Sequence, residues 1–243
     1  MAGTMVHLVV AEKLWKWLTE ARIGYLFQPS LRPERDYFIA GNICPDGIMA
    51  RKGYEREMKL HTHFRDGIPD GSFEEPGMVP LFERRMKDFW QEHISEEKAC
   101  PGLYLGYVTH MMTDERYILQ ERRKFFEEIA RMGLTKWDRK TYVHFNRETD
   151  LVDFWLLRNF PELQEAREAL ERVAPYEIRG MITREELTDS RHWILQHFFQ
   201  EAHSEEMPEL IDCGAMADFI ESVSREIKGR LLDEGYLSSS SRL

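Results

Sequence analysis

Gly106-Tyr107-Val108-Thr109-His110-Met111-Met112-Thr113-Asp114-Glu115 is the stretch from which the rest of the chain is read. Leu103, Tyr107, His110 and Asp114 fall on one stripe at about 3.6 residues per turn, so the segment reads as a helix. A neutral imidazole and a carboxylate one turn apart point the same way and can share a metal ion. On its own, His-x-x-x-Asp is equally a buried hydrogen-bonded pair or a helix cap, and Met111 and Met112 are most simply packing residues.

Working outward, the same periodicity recurs along the chain. It predicts helices over Val6–Arg22, from Pro33 to Ala40, over Val79–Ile94, from Pro101 to about Met132 with Gly133 as its cap, and over Lys140–Arg158. Pro161–Val173, Arg184–His203 and Ala215–Leu232 complete the set. Thr4 is the expected N-cap of the first helix. Gly24–Pro33 and the Gly/Pro/Asp-rich Arg65–Gly77 read as loops. Gly41-Asn42-Ile43-Cys44-Pro45-Asp46-Gly47 reads as a tight turn that fixes Asp46. No strand-length alternation and no internal repeat is visible. The expectation is a multi-helix, all-α globular bundle, one domain over 1–243, with 174–183 as the candidate hinge and a frayed serine-rich tail, Ser238 to Arg242.

Composition narrows the function classes. With 243 residues and 42% hydrophobic content the chain can bury a sizeable core. A formal charge of −10 argues against bulk nucleic-acid binding, because phosphate backbones attract basic surfaces. Cys44, Cys100 and Cys213 are scattered with no CxxC pair, which fits a reducing compartment. No apolar run is long enough to span a membrane. Met1–Leu18 is broken by His7, Glu12, Lys13 and Lys16, so no signal peptide is evident and the cytoplasm is the expected location.

The groups that could carry chemistry are two His/carboxylate pairs at i, i+4, His110/Asp114 and His144/Glu148, together with His61-Thr62-His63, Asp46 and His7. Each has a bland reading beside the metal one. His7 can simply sit at a helix start, His144/Glu148 can be a solvated face, and the rings of His61 and His63 are not expected to face one site. Glu115 reads as a surface or supporting charge, and His93, His192, His197 and His203 as core or surface histidines. Together the set suffices for two ions, and two-metal sites suit phosphoester cleavage. No phosphate-binding glycine loop and no serine or cysteine nucleophile motif is present.

In order, His7, Gly41-Asn42-Ile43-Cys44-Pro45-Asp46, Thr62-His63-Phe64, Gly106 to Asp114, and His144-Phe145-Asn146-Arg147-Glu148 resemble the zinc-dependent phospholipase C family, related in fold to the S1/P1 nucleases. The resemblance is strongest over residues 1–160. It implies an all-helical fold with one to three zinc ions in a cleft and hydrolysis of phosphodiesters. Asp46, His63, His110 and Asp114 resemble the ligands of one zinc, with Asp46 also the candidate catalytic base. His144 and Glu148 resemble ligands of a second zinc, and His7 with Asp114 part of a third site. The family's second zinc also takes a histidine soon after the central aspartate. This chain has Glu115 to Glu121 there, so only Gln120 or Glu121 could substitute, and His61 is a further possible ligand. Manganese or iron would suit these ligands as well as zinc. The implied substrate is a small phosphoester or phospholipid head group. The rival reading is a non-catalytic, regulatory helical protein that keeps the fold and one metal site.

Overall fold

The computed structural model describes residues 1–68 and 71–238; the expected frayed tail lies outside the described residues from 239 onward. The fold is all-α. Its helices are α1 (Thr4–Glu20), α2 (Arg35–Gly41), α3 (Arg56–Thr62), α4 (Met78–His93), α5 (Leu103–Leu119), α6 (Glu121–Arg131), α7 (Arg139–Asn159), α8 (Glu162–Arg172), α9 (Arg184–Phe199) and α10 (Cys213–Asp233). Short 3-10 helices span Cys44–Ala50 and Glu96–Lys98. Two two-residue strands, β1 (Gly24–Tyr25) and β2 (Leu237–Ser238), pair antiparallel and tie the loop after α1 to the segment after α10.

Two helices are buried almost all round, and they define the centre. Every residue of α1 from Met5 to Glu12, and of α5 from Leu103 to Glu115, is buried. A helix buried on every side must be enclosed by others. α1 is enclosed by α2, α5, α7, α8 and α10. α2 crosses α5 backbone to backbone at Gly41 and Gly106. A Cβ on Gly41 would lie 2.2 Å from the Leu103 carbonyl, and one on Gly106 would lie 2.3 Å from the Phe38 carbonyl. No side chain larger than hydrogen fits at that crossing.

The start of α1 departs from the sequence expectation. Thr4 is the first helical residue and Gly3 the N-cap, so no side chain of this segment caps it. Asp153, from the middle of α7, stands against the N–H groups of Thr4, Met5 and Val6 instead. A Cβ on Gly3 would fall 2.3 Å from Asp153 Oδ1, so glycine is required for that approach.

The helix expected from Pro101 to Met132 is broken at Gln120, which ends α5 and begins α6. Leu119-Gln120-Glu121 contains no glycine or proline, so the break is set by packing rather than by a local breaker. Past it, Phe125 and Ile129 turn into the core. Before it, Glu115 is buried and pairs with Arg230 of α10, Oε2 to Nη1 at 2.9 Å. Gly133 ends α6 in the left-handed conformation at φ 76°, as expected of a C-terminal glycine. Helix α3 was not anticipated. The segment 174–183, where a hinge is expected, buries Ile178 and Ile182, which bridge to each other, and Met181 offers its carbonyl to Arg51 at 2.8 Å.

Candidate metal centre

Five of the residues singled out in the sequence come together beneath one cleft: His7 from α1, Asp46 from the first 3-10 helix, His63 at the end of α3, and His110 and Asp114 from α5. His7, His110 and Asp114 form one group whose ligand atoms all lie within 4.8 Å of one another, and Asp46, His63 and His110 form another. His110 belongs to both.

The local structure explains each position. Asp46 sits on a 3-10 helix with Pro45 in its first turn, and that helix packs against α9, where Gly47 leaves room for Leu187. His63 closes α3. The next residue, Phe64, takes the left-handed conformation at φ 57°, uncommon for a non-glycine side chain. Packing holds it there: its ring lies 5.1 Å from Phe89 and 5.7 Å from Tyr107, and the Tyr107 hydroxyl donates to the Thr62 carbonyl. The turn thereby points His63 inward.

Two of the histidines are oriented through their far nitrogens. His110 Nδ1–H donates to the Asn42 carbonyl at 2.8 Å, and His63 Nδ1–H donates to the Lys59 carbonyl at 2.9 Å. This is the arrangement by which backbone carbonyls fix the tautomer of a ligating histidine and leave Nε2 as a lone pair. Both Nε2 atoms are buried and, with Asp114 Oδ2, have no hydrogen-bond partner. They converge: His63 Nε2 is 3.3 Å from Asp46 Oδ1 and 3.7 Å from Asp114 Oδ2, and His110 Nε2 is 3.6 Å from Asp114 Oδ2. A tetrahedral ion with ligands at ~2.0–2.1 Å has edges of roughly 3.3 Å, and these three separations lie near that length. Buried polar atoms without partners are costly, and three such acceptors gathered together, His63 Nε2, His110 Nε2 and Asp114 Oδ2, make a place where a cation could be held.

Asp114 Oδ1, the other carboxylate oxygen, accepts from the Ala2 backbone N–H at 2.8 Å and lies 3.4 Å from His7 Nε2. The His7 ring stacks on His110, centroids 3.6 Å apart and planes within 4°. Burial drives His7 down to about 4, with the His110 charge acting the same way. Burial also takes His63 to about 4 against the pull of Asp46. Both rings are therefore neutral near pH 7, as ligands must be. Burial resists ionisation of Asp46, but Lys59, His63 and His110 outweigh it and hold the carboxyl well below the usual range. For Asp114 burial is likewise outweighed, by the neighbouring His110 and His7 rings.

The remaining sequence candidates are not brought to this cluster. Glu148 is buried but turned away, accepting from the backbone N–H groups of Leu210 at 2.6 Å and Ile211 at 3.2 Å. His144, one turn earlier on α7, is half-buried. His61 points outward and pairs with Asp66 at 2.7 Å, and Gln120 is exposed at the α5–α6 break. The face of α7 that lines the cleft carries Tyr142, Phe145, Asn146, Thr149, Asp150 and Asp153 instead.

Two contributors were not singled out in the sequence. Asn42 acts through its carbonyl, which no side-chain pattern reveals. Lys59 acts twice, through its carbonyl on His63 and through its ammonium, 2.6 Å from Asp46 Oδ1. The cleft above the cluster has a volume of about 350 Å³, within the range of small-molecule sites, and Asp46, Lys59 and the Met1–Thr4 segment form part of its wall. No protein-family model, curated protein or solved structure matches this chain.

Proposed function

We propose that this protein is a metal-dependent, phospholipase C-like phosphoester hydrolase, with Asp46, His63, His110 and Asp114 holding one zinc ion or a similar divalent ion. The observation that carries the reading is the meeting of buried, partnerless His63 Nε2, His110 Nε2 and Asp114 Oδ2, with Asp46 Oδ1 3.3 Å from His63 Nε2 and both histidines oriented by backbone carbonyls. A divalent ion bound there supplies Lewis acidity toward a phosphoryl oxygen and makes water more acidic.

The chain's own groups would do the rest. His63 presents a neutral Nε2 lone pair, His110 Nε2 faces the same cluster, and Asp114 divides its oxygens between the cluster and the Ala2 N–H. Asp46 stands at the mouth of the cleft, beside Lys59, where a water can meet it. A carboxylate held ionised this firmly is a weak proton acceptor near neutral pH, so its stronger role is to orient the attacking water. His7 supports Asp114 through Oδ1 and belongs to a further site only if a second ion binds there. The same reading takes the all-α fold to be of the phospholipase C / P1 nuclease type. What supports it is the meeting of the motif-bearing segments, α1, the Asp46 turn, the end of α3 and α5, in the expected chain order. A cytoplasmic location belongs to this reading and draws on three free cysteines. Among the described residues no helix is long and apolar enough to cross a membrane.

The rival reading, a regulatory protein with one metal and no turnover, draws on the Lys59–Asp46 contact, which commits a ligand oxygen to an ammonium. The test is metal content of chelator-free protein together with hydrolysis of bis-p-nitrophenyl phosphate. About one equivalent of metal, and turnover abolished by His110→Ala and by Asp114→Ala, is the expected result. Turnover that survives both substitutions sinks the catalytic assignment. Bound metal that raises the melting temperature without any turnover supports the regulatory reading.

A further inference from the structure

Four residues of the metal centre stand on three separate stretches of chain: Asp46 on the first 3-10 helix, His63 just past α3, and His110 and Asp114 on α5. Three hydrogen bonds between buried groups lace these stretches together. His110 Nδ1–H donates to the Asn42 carbonyl at 2.8 Å, which joins α5 to the segment leading into Asp46. The Thr62 hydroxyl donates to the Pro45 carbonyl at 2.9 Å, which joins that segment to the end of α3. The Tyr107 hydroxyl donates to the Thr62 carbonyl, which joins the end of α3 back to α5. The circuit is closed: it leaves α5 at His110 and returns to α5 at Tyr107.

Every link adjoins a ligand. Pro45 precedes Asp46, Thr62 precedes His63, and Tyr107 lies one helical turn before His110. A threonine hydroxyl has one proton to give and two lone pairs to offer. The Pro45 carbonyl is the nearest acceptor for that proton, since the Lys59 carbonyl is 3.2 Å away. The Thr62 oxygen also lies 3.1 Å from His63 Nδ1, whose N–H the Lys59 carbonyl accepts at 2.9 Å. One hydroxyl thus pins the turn that carries Asp46 and backs the tautomer that leaves His63 Nε2 as a lone pair. Thr62 is 1% exposed and Tyr107 is fully buried, so bulk water does not compete for these bonds.

We propose that Thr62 and Tyr107 are positioning residues for the metal centre. Their hydroxyls close the circuit that holds Asp46, His63 and His110 at ligand spacing before an ion arrives. The inference rests on the metal-binding half of the proposed function and not on hydrolysis. A site already held at its spacing loses less of the ion's binding energy to ordering its own ligands. Opening one link of a closed circuit releases the ligands that it held, and opening a second releases little more. Independent bonds would instead give additive losses.

The experiment measures zinc affinity of the full chain by competition against a chromophoric chelator, with urea denaturation of the metal-free protein alongside. Thr62→Val keeps the shape and removes the hydroxyl, Tyr107→Phe does the same for the ring, and Thr62→Ser keeps the hydroxyl. Thr62→Val and Tyr107→Phe are each expected to bind zinc about 10- to 100-fold more weakly, the usual loss when a ligand's orienting partner is removed. Thr62→Ser is expected to stay within about threefold of the unsubstituted protein. The double variant, Thr62→Val with Tyr107→Phe, is expected to fall no more than about threefold below the weaker single variant. A purely structural role would lower stability and leave the zinc affinity of the folded protein unchanged. That result overturns the proposal, as do losses that multiply in the double variant, or a Thr62→Ser protein that binds as weakly as Thr62→Val. Tyr107→Phe decides the matter alone should Thr62→Val not fold: lost affinity supports the proposal and unchanged affinity overturns it. An unsubstituted protein that takes up no zinc removes the metal centre itself. Zinc uptake that none of the substitutions alters removes only this inference.

Discussion

The Lys59 ammonium rests 2.6 Å from Asp46 Oδ1, the same oxygen that lies 3.3 Å from His63 Nε2. A lysine thus competes for a lone pair that a metal ion would use. Removing its charge while keeping its length, in Lys59→Met, is expected to tighten metal binding by about tenfold. Competition against a chromophoric chelator measures this. Weaker binding in the variant would mean that Lys59 builds the site rather than rivals its ion.

The Gly41–Gly106 crossing should tolerate no added carbon. Gly106→Ala puts a methyl group 2.3 Å from the Phe38 carbonyl oxygen, and the two helices must separate. Overpacking of this kind costs about 1–3 kcal/mol. Because Asn42 follows α2 directly, metal affinity should fall together with stability. Urea denaturation of the metal-free protein and metal titration of the folded one read the two effects separately.

Glu148 carries a different expectation. Its carboxylate holds two backbone N–H groups of the 210–211 segment. Glu148→Ala leaves those donors without their acceptor, at a cost of about 1–3 kcal/mol, and should leave metal content unchanged. Loss of a metal equivalent in that variant would restore the second zinc site that the family resemblance implies.

Acid–base behaviour of the fold should report on Glu97. It is fully buried at the N-terminal end of α5, accepting from the Tyr25 hydroxyl at 2.7 Å and from the N–H groups of Gly102 and Leu105. Burial pushes its carboxyl up to about 7, although these three donors pull the other way. A raised carboxyl pKa means that the folded state holds the proton more tightly. The stability it adds is fully present below the unfolded pKa of about 4.5 and is lost as pH rises toward 7. Across that window wild-type melting temperature should fall relative to Glu97→Gln, which cannot titrate. Parallel pH profiles for the two proteins would show that Glu97 is ionised throughout.

Much of this was open to reading from residues alone, and the remainder was hidden for definable reasons. His110 and Asp114 were legible because helical spacing and a largely apolar surround from Leu103 to Met112 agree on one buried helix. Asp46 was legible because Pro45 and Gly47 fix the turn around it. His144 and Glu148 have the same spacing as His110 and Asp114, but spacing says that two side chains share a face of α7 and not which way that face looks. The cleft-facing side carries Thr149 and Asp153, with no histidine to draw attention. α3 is seven residues long, too short for periodicity to stand out. The break at Gln120 is imposed by partners distant in sequence. Lys59 and the Asn42 carbonyl lie outside any search for ligand types, because one is a cation and the other is backbone.

The close contact of Gly41 with Gly106 has an implication for how such a centre could be inherited or lost. Every ligand could persist in a descendant sequence while one methyl group at either glycine shifts His110 away from the Asn42 carbonyl that orients it. Neither position can be changed alone and then repaired by a change at the other, since each glycine already offers its partner the least atom available. If the cluster holds an ion, its vulnerable letters are two residues outside the ligand set, and a count of intact ligands would overstate what a variant could still bind.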